Sequence, residues 1–221
     1  MPVATRNVCV LFASALIVLG LASTSQAQVS SPGSNPTPIN EGGPPPANNA
    51  PEIISLQQEQ LAGQRYRIYG RVADETPQTC GVVISGAASG VMLCDASGEF
   101  SGVFSVAAPG EIQAVAGDGS AQSGPSVLNL TNAAPTVGNF IAVQGANNTW
   151  TFSGSVGDEA PAGLTVTLAG PSGVQGATAV VTSGGAWSIT LSLPAGTSGT
   201  VTATVADWYG LTGSATTIFG S

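Results

Sequence analysis

The chain has 221 residues, of which only 7% are charged, against roughly 25% in an average soluble domain. Lysine and histidine are absent, and four arginines stand against twelve acids, a net charge of −8. Without histidine there is no Ser-His-Asp triad and no His-ligated zinc. Without lysine there is no Schiff base and no phosphate-binding P-loop. So few cations also make a poor nucleic-acid binder, because backbone affinity comes from Lys and Arg neutralising phosphates.

Residues 1–27 have the pattern of a secretory signal peptide. Arg6 supplies the positive start, Val8 to Ala22 is an apolar run, and Ser25-Gln26-Ala27 offers small residues before a cleavage site. The run is short of the ~20 apolar residues of a spanning helix, so cleavage after Ala27 is expected, and Cys9 leaves with the signal. Once the signal is removed, no membrane insertion is expected. The mature chain is expected outside the cytoplasm, secreted or at the cell surface, with the periplasm as an alternative. Residues 28–49 follow as a linker rich in Pro, Ser, Asn and Gly, including Pro44-Pro45-Pro46. Having almost nothing to bury, this segment is expected to be extended and disordered.

From residue 50 the chain repeats itself. At an offset of 84, eleven of the 37 positions from Ala50 to Gly86 recur, among them Pro51 as Pro135, Gly70 as Gly154, Asp74-Glu75 as Asp158-Glu159 and Gly86 as Gly170. The offset grows to 87 at Phe100 and Trp187, and to 89 at Asp118 and Asp207. Two units are thus expected, over 50–132 and 133–221. Within each unit the apolar period is two: Leu164, Val166 and Leu168 alternate with Thr165 and Thr167, and Val201, Ala203 and Val205 with Thr202 and Thr204. Such alternation predicts half-buried strands separated by Gly/Pro/Asp turns. The fold class is therefore all-β, two tandem two-sheet sandwiches of about seven strands each. Tyr66, Trp150 and Trp187 fall at inward positions and are expected in the cores.

Each unit opens on Ala-Pro (Ala50-Pro51, Ala134-Pro135), continues with Gly-x-Val-x-Asp-Glu (Gly70 to Glu75, Gly154 to Glu159) and starts a later strand with Gly-x-aromatic-Ser. The second closes with Val-Thr-Ala-Thr-Val-Ala-Asp-Trp-Tyr-Gly-Leu, Val201 to Leu211. Residues 50–221 resemble the tandem immunoglobulin-like or cadherin-like repeats of large secreted bacterial surface proteins. That resemblance implies an extracellular spacer or adhesive module without catalytic activity. It also implies that Asp158, Glu159 and Asp207 share the end of the second unit that faces the first, where cadherin-like repeats hold calcium on oxygen ligands. Asp74, Glu75 and Asp118 are the matching set in the first unit. The linker before the second unit offers only Asn132 as a further side-chain ligand, and the alternative is that these acids simply cap turns.

Trp208 and Tyr209 follow Asp207, where the first unit has Gly119-Ser120. They either form an exposed pair that stacks on a sugar or protein partner, or pack against the first unit. Arg65, Arg67 and Arg71 make a basic outward stripe with Tyr69, open to an acidic partner or simply solvated. Cys80 and Cys94 fall at inward positions of neighbouring elements in an exported domain, for which a disulfide is expected. Glycoside hydrolysis needs only two carboxylates, but few acids lie outside turns. The expected function is a non-enzymatic secreted or surface module whose partner is a surface or matrix protein or a polysaccharide, needing no cofactor. The alternative is a ligand-binding module, with calcium at the junction or carbohydrate on Trp208 and Tyr209.

Overall fold

The computed structural model describes residues 47–220. The expected signal peptide and nearly all of the linker lie outside the described residues. The first seven strands are β1 (Glu52–Leu61), β2 (Arg65–Ala73), β3 (Gly81–Gly86), β4 (Gly90–Leu93), β5 (Glu99–Ser105), β6 (Glu111–Gly117) and β7 (Ser126–Asn129). They form two antiparallel sheets, ordered β1-β2-β5 and β4-β3-β6-β7. The next seven are β8 (Thr136–Gln144), β9 (Thr149–Gly157), β10 (Thr165–Ala169), β11 (Thr178–Val180), β12 (Ala186–Ser192), β13 (Gly199–Ala206) and β14 (Thr212–Phe219). They repeat the plan as β8-β9-β12 and β11-β10-β13-β14. Each set is a two-sheet antiparallel sandwich of seven strands, as the period-two pattern predicts.

Each sandwich has its own core because every strand turns alternate side chains inward. Tyr66, Ile68, Val82, Ile84, Phe100 and Ile112 fill the first, and Phe152, Val166, Leu168, Trp187 and Val201 the second. The repeated glycines mark one construction detail. Gly70 lies opposite Phe100 and Gly154 opposite Trp187 in the β2–β5 and β9–β12 ladders. In each case the partner strand on the other side, β1 or β8, carries a register shift, near Ser55 and near Gly138. A Cβ at Gly154 would sit 2.9 Å from the Gly138 carbonyl oxygen and 3.0 Å from the Trp187 ring, and one at Gly70 would collide with the Ser55 carbonyl. The bulge and the large ring together require a residue without a side chain.

Two expectations need correction. Trp150 is only partly buried; it lies at the rim of the second core, its ring 5.0 Å edge-on from Phe219. Cys80 and Cys94 are buried free thiols, where a disulfide was expected. They extend the β3–β4 ladder by one pair, with the Cys94 amide donating to the Cys80 carbonyl at 3.0 Å. The strands are thus tied here by backbone pairing, and the thiols act as small core groups.

Candidate functional site

Asp207 stands at the start of the turn between β13 and β14. Its Oδ1 accepts from the amides of Tyr209 and Leu211, each at 2.8 Å, which fixes the turn. Its Oδ2 accepts from Asn132 Nδ2 at 2.7 Å, in the segment joining the two sandwiches. The Asn132 carbonyl oxygen Oδ1 in turn accepts from Gln60 Nε2 at 2.8 Å, and Gln60 Oε1 lies 3.1 Å from the Tyr66 hydroxyl. Tyr66 donates to the Thr131 carbonyl at 2.7 Å. Gln60 and Asp207 are the two buried polar side chains among the described residues. They sit on opposite sides of the junction, and Asn132 connects them. A buried amide or carboxylate is costly unless paired, so each holds the other sandwich in place.

Tyr209 completes the joint. Its ring packs on the first core, 6.4 Å from the Tyr66 ring, and its hydroxyl donates to the Val106 carbonyl at 3.1 Å. Gln64 donates from Nε2 to the Trp208 carbonyl at 2.8 Å. Gln64 is held at φ 57, beside Gly63 at φ 78, in the tight β1–β2 turn. Trp208 turns the other way: its ring packs on the second core, and its Nε1 donates to the Ala160 carbonyl at 3.0 Å. The two aromatics therefore pack on different cores, Tyr209 on the first sandwich and Trp208 on its own.

The remaining acids at this end accept from backbone amides, Asp158 within its own turn and Glu159 from the start of the second unit. Glu159 Oε1 accepts from the Ala133 amide at 3.1 Å, and Asp158 Oδ1 from the Ala160 amide at 2.7 Å. Asp158 Oδ2 is buried without a partner, and burial holds this carboxyl above its ordinary pKa, against the effect of the Ala160 amide. Among the described residues no three His, Cys, Asp or Glu side chains gather as a metal-binding group. Asp158 and Glu159 thus share the turn after β9 and Asp207 stands in the turn after β13, and three carboxylates engaged in this way do not by themselves supply the 6 to 8 oxygens that calcium usually takes.

The first unit repeats the arrangement. Asn48 Nδ2 donates to Asp118 Oδ2 at 2.7 Å, and Asn49 bonds to the Glu75 carboxylate, in the places of Asn132 on Asp207 and Ala133 on Glu159. Asp118 also accepts from the Ser120 and Ala121 amides, which with Asn48 hold its pKa below the ordinary carboxylate value. The turn there ends in Gly119-Ser120, with no ring to insert.

The arginine stripe lies outward on β2, as the alternation predicts. Arg67 rests over the Tyr69 ring, donates to Ser101 Oγ at 3.0 Å and lies 3.6 Å from Glu59; Arg71 donates to the Ser97 carbonyl at 2.9 Å. With Asp95 and Glu99 beside them they line an open cleft of about 510 Å³. The sequence reading did not single out Gln60, Gln64 or Val106. Gln60 was discoverable: it is a polar residue at an inward strand position, and it recurs as Gln144.

No protein-family model matches the chain, and no curated protein matches it in sequence. Among solved structures it is similar to bovine butyrophilin, at 9% identity over 78% of this chain and 99% of that one, with a TM-score of 0.32. It is similar to the FN1–FN3 domains of chicken CNTN1, at 11% identity over 79% of this chain and 68% of that one, TM-score 0.32. It is also similar to the Yersinia pseudotuberculosis adhesin InvE, at 12% identity over 76% of this chain and 58% of that one, TM-score 0.33.

Proposed function

We propose that the chain is a non-enzymatic structural and adhesive module of the cell surface or its matrix, in which two sandwiches are locked into one stiff strut. The observation that carries this reading is the Gln60–Asn132–Asp207 bridge with Tyr209 seated on the first core. A flexible spacer needs no buried polar relay across its hinge. A strut does, because only a joint that resists bending transmits position. The adhesive half draws on the outward face of β4-β3-β6, where Val91, Val83 and Val115 stand in one cross-strand row and Leu93 is 79% exposed. An apolar face of this kind suits contact with a surface or matrix partner.

Nuclear spin relaxation on the full chain tests the strut. Both sandwiches are expected to share one rotational correlation time, unchanged by a calcium chelator because the joint consists of direct hydrogen bonds. Tyr209→Ser is expected to let them reorient separately. Independent tumbling of the unaltered protein would remove the strut reading, and a joint that stiffens only with calcium would replace it with a metal-dependent one.

A further inference from the structure

The surface that receives Tyr209 on the first sandwich is built a second time, at the far end of the second sandwich. In the first sandwich the receiving groups are Gln64 in the β1–β2 turn, Tyr66 at the start of β2 and Val106 after β5, with the Thr131 carbonyl after β7 accepting from the Tyr66 hydroxyl. At the repeat offsets their counterparts are Asn148, Trp150, Leu193 and Gly220. The backbone confirms the match, since Val106 N donates to the Gln64 carbonyl at 2.9 Å and Leu193 N to the Asn148 carbonyl at 3.0 Å. Gln144 stands in the place of Gln60, and Phe219 closes the core where Leu130 does. The β8–β9 turn has the same left-handed pair, Asn147 and Asn148 at φ 58 and 57. Gln144, Asn148, Trp150, Pro194 and Gly220 line a small cleft of about 70 Å³ at this end.

We propose that this cleft is a docking site for the aromatic-tipped turn of another module of the same build, one carrying Asp-x-Tyr-Gly as Asp207 to Gly210 does. The chain's own turn is not the occupant, because it is already seated on the first sandwich. The first unit's turn, Gly119-Ser120, has no ring to offer. The recognition is the chemistry already seen at the internal junction. A phenol ring lies against the Trp150 rim, its hydroxyl donates to a carbonyl at the end of β12, and the Asn148 amide donates to the turn's backbone. Trp150 is larger than Tyr66 and Asn148 shorter than Gln64, so the contact shifts from amide toward ring.

The inference rests on the strut reading, and one experiment separates the two. The full chain is extended at Gly220 by a second copy of residues 132–220, placing an added Tyr209 equivalent where it can reach Trp150. Spin relaxation is expected to show all three sandwiches reorienting as one body. Changing only the added tyrosine to serine, which leaves residues 1–220 untouched, is expected to release the third sandwich alone, and Trp150→Ser to do the same. A third sandwich that tumbles freely while the first two stay locked overturns the docking site and leaves the strut standing. A third sandwich that stays locked without its tyrosine also overturns it. Separate motion of the first two would remove the strut, and the docking site with it.

Discussion

Cys80 and Cys94 show how position in a sandwich sets a residue's chemistry. Both thiols face the first core, and burial pushes Cys80 up to about 11, with the nearby Asp74 charge adding to the effect; burial raises Cys94 as well. A thiol whose folded pKa exceeds its unfolded value of roughly 8.5 contributes stability below the unfolded pKa that is lost as pH rises through the folded one. The first sandwich is therefore expected to lose stability between about pH 9 and pH 11, as each thiol is forced toward a charged form the core disfavours. Tyr66 and Tyr209 are raised by burial too and act in the same direction at higher pH. Urea melts of the protein and of Cys80→Ala/Cys94→Ala at pH 8 and 10.5 isolate the thiol share. The double variant should be less stable at pH 8 but lose less on going to pH 10.5. An equal loss in both proteins would show that the thiols do not carry the effect.

At the scale of elements, the glycine opposite the large ring does the most with the least. Gly70 accommodates both the β1 bulge at Ser55 and the Phe100 ring, and Gly154 accommodates the Gly138 carbonyl and Trp187. Gly70→Ala is expected to destabilise the first sandwich by about 1–3 kcal/mol, the usual range for forcing a methyl into a packed site. Gly119→Ala meets nothing within 4 Å, so space does not oppose it, and any cost there comes from its φ of 90 alone. Chemical denaturation of both variants checks this, and a Gly119 loss as large as that at Gly70 would contradict the packing account. The strands themselves were legible in the sequence, because period two and the turn residues are local signals. Trp150 was misplaced into the core because alternation gives the face of a strand and not the distance of a residue from its end. The free thiols escaped the same reading. Inward register placed Cys80 and Cys94 next to each other, and adjacency alone does not fix whether sulfur bonds to sulfur.

For the whole molecule, the question is whether two sandwiches behave as one object. The sequence located the joint, since Asp158, Glu159 and Asp207 are the charges of the second unit and the fold gathers them at one end. It did not reveal how the joint works, because Gln60 and Asp207 are 147 positions apart in the chain and meet only through Asn132. That relay makes a quantitative demand. Gln60→Leu removes one buried amide in the first sandwich, and Asp207→Asn weakens the acceptor in the second. Two such changes in unconnected modules would be additive. Groups in one hydrogen-bond network couple by about 0.5–3 kcal/mol, so the double variant should depart from additivity by an amount in that range. The departure should vanish when Asn132→Ala is present in all four proteins, because the connecting amide is then gone. Coupling that survives the loss of Asn132 would place the communication in the Tyr209 ring contact instead. Additivity in the unaltered background would mean that the polar bridge holds the linker without binding the two sandwiches to each other.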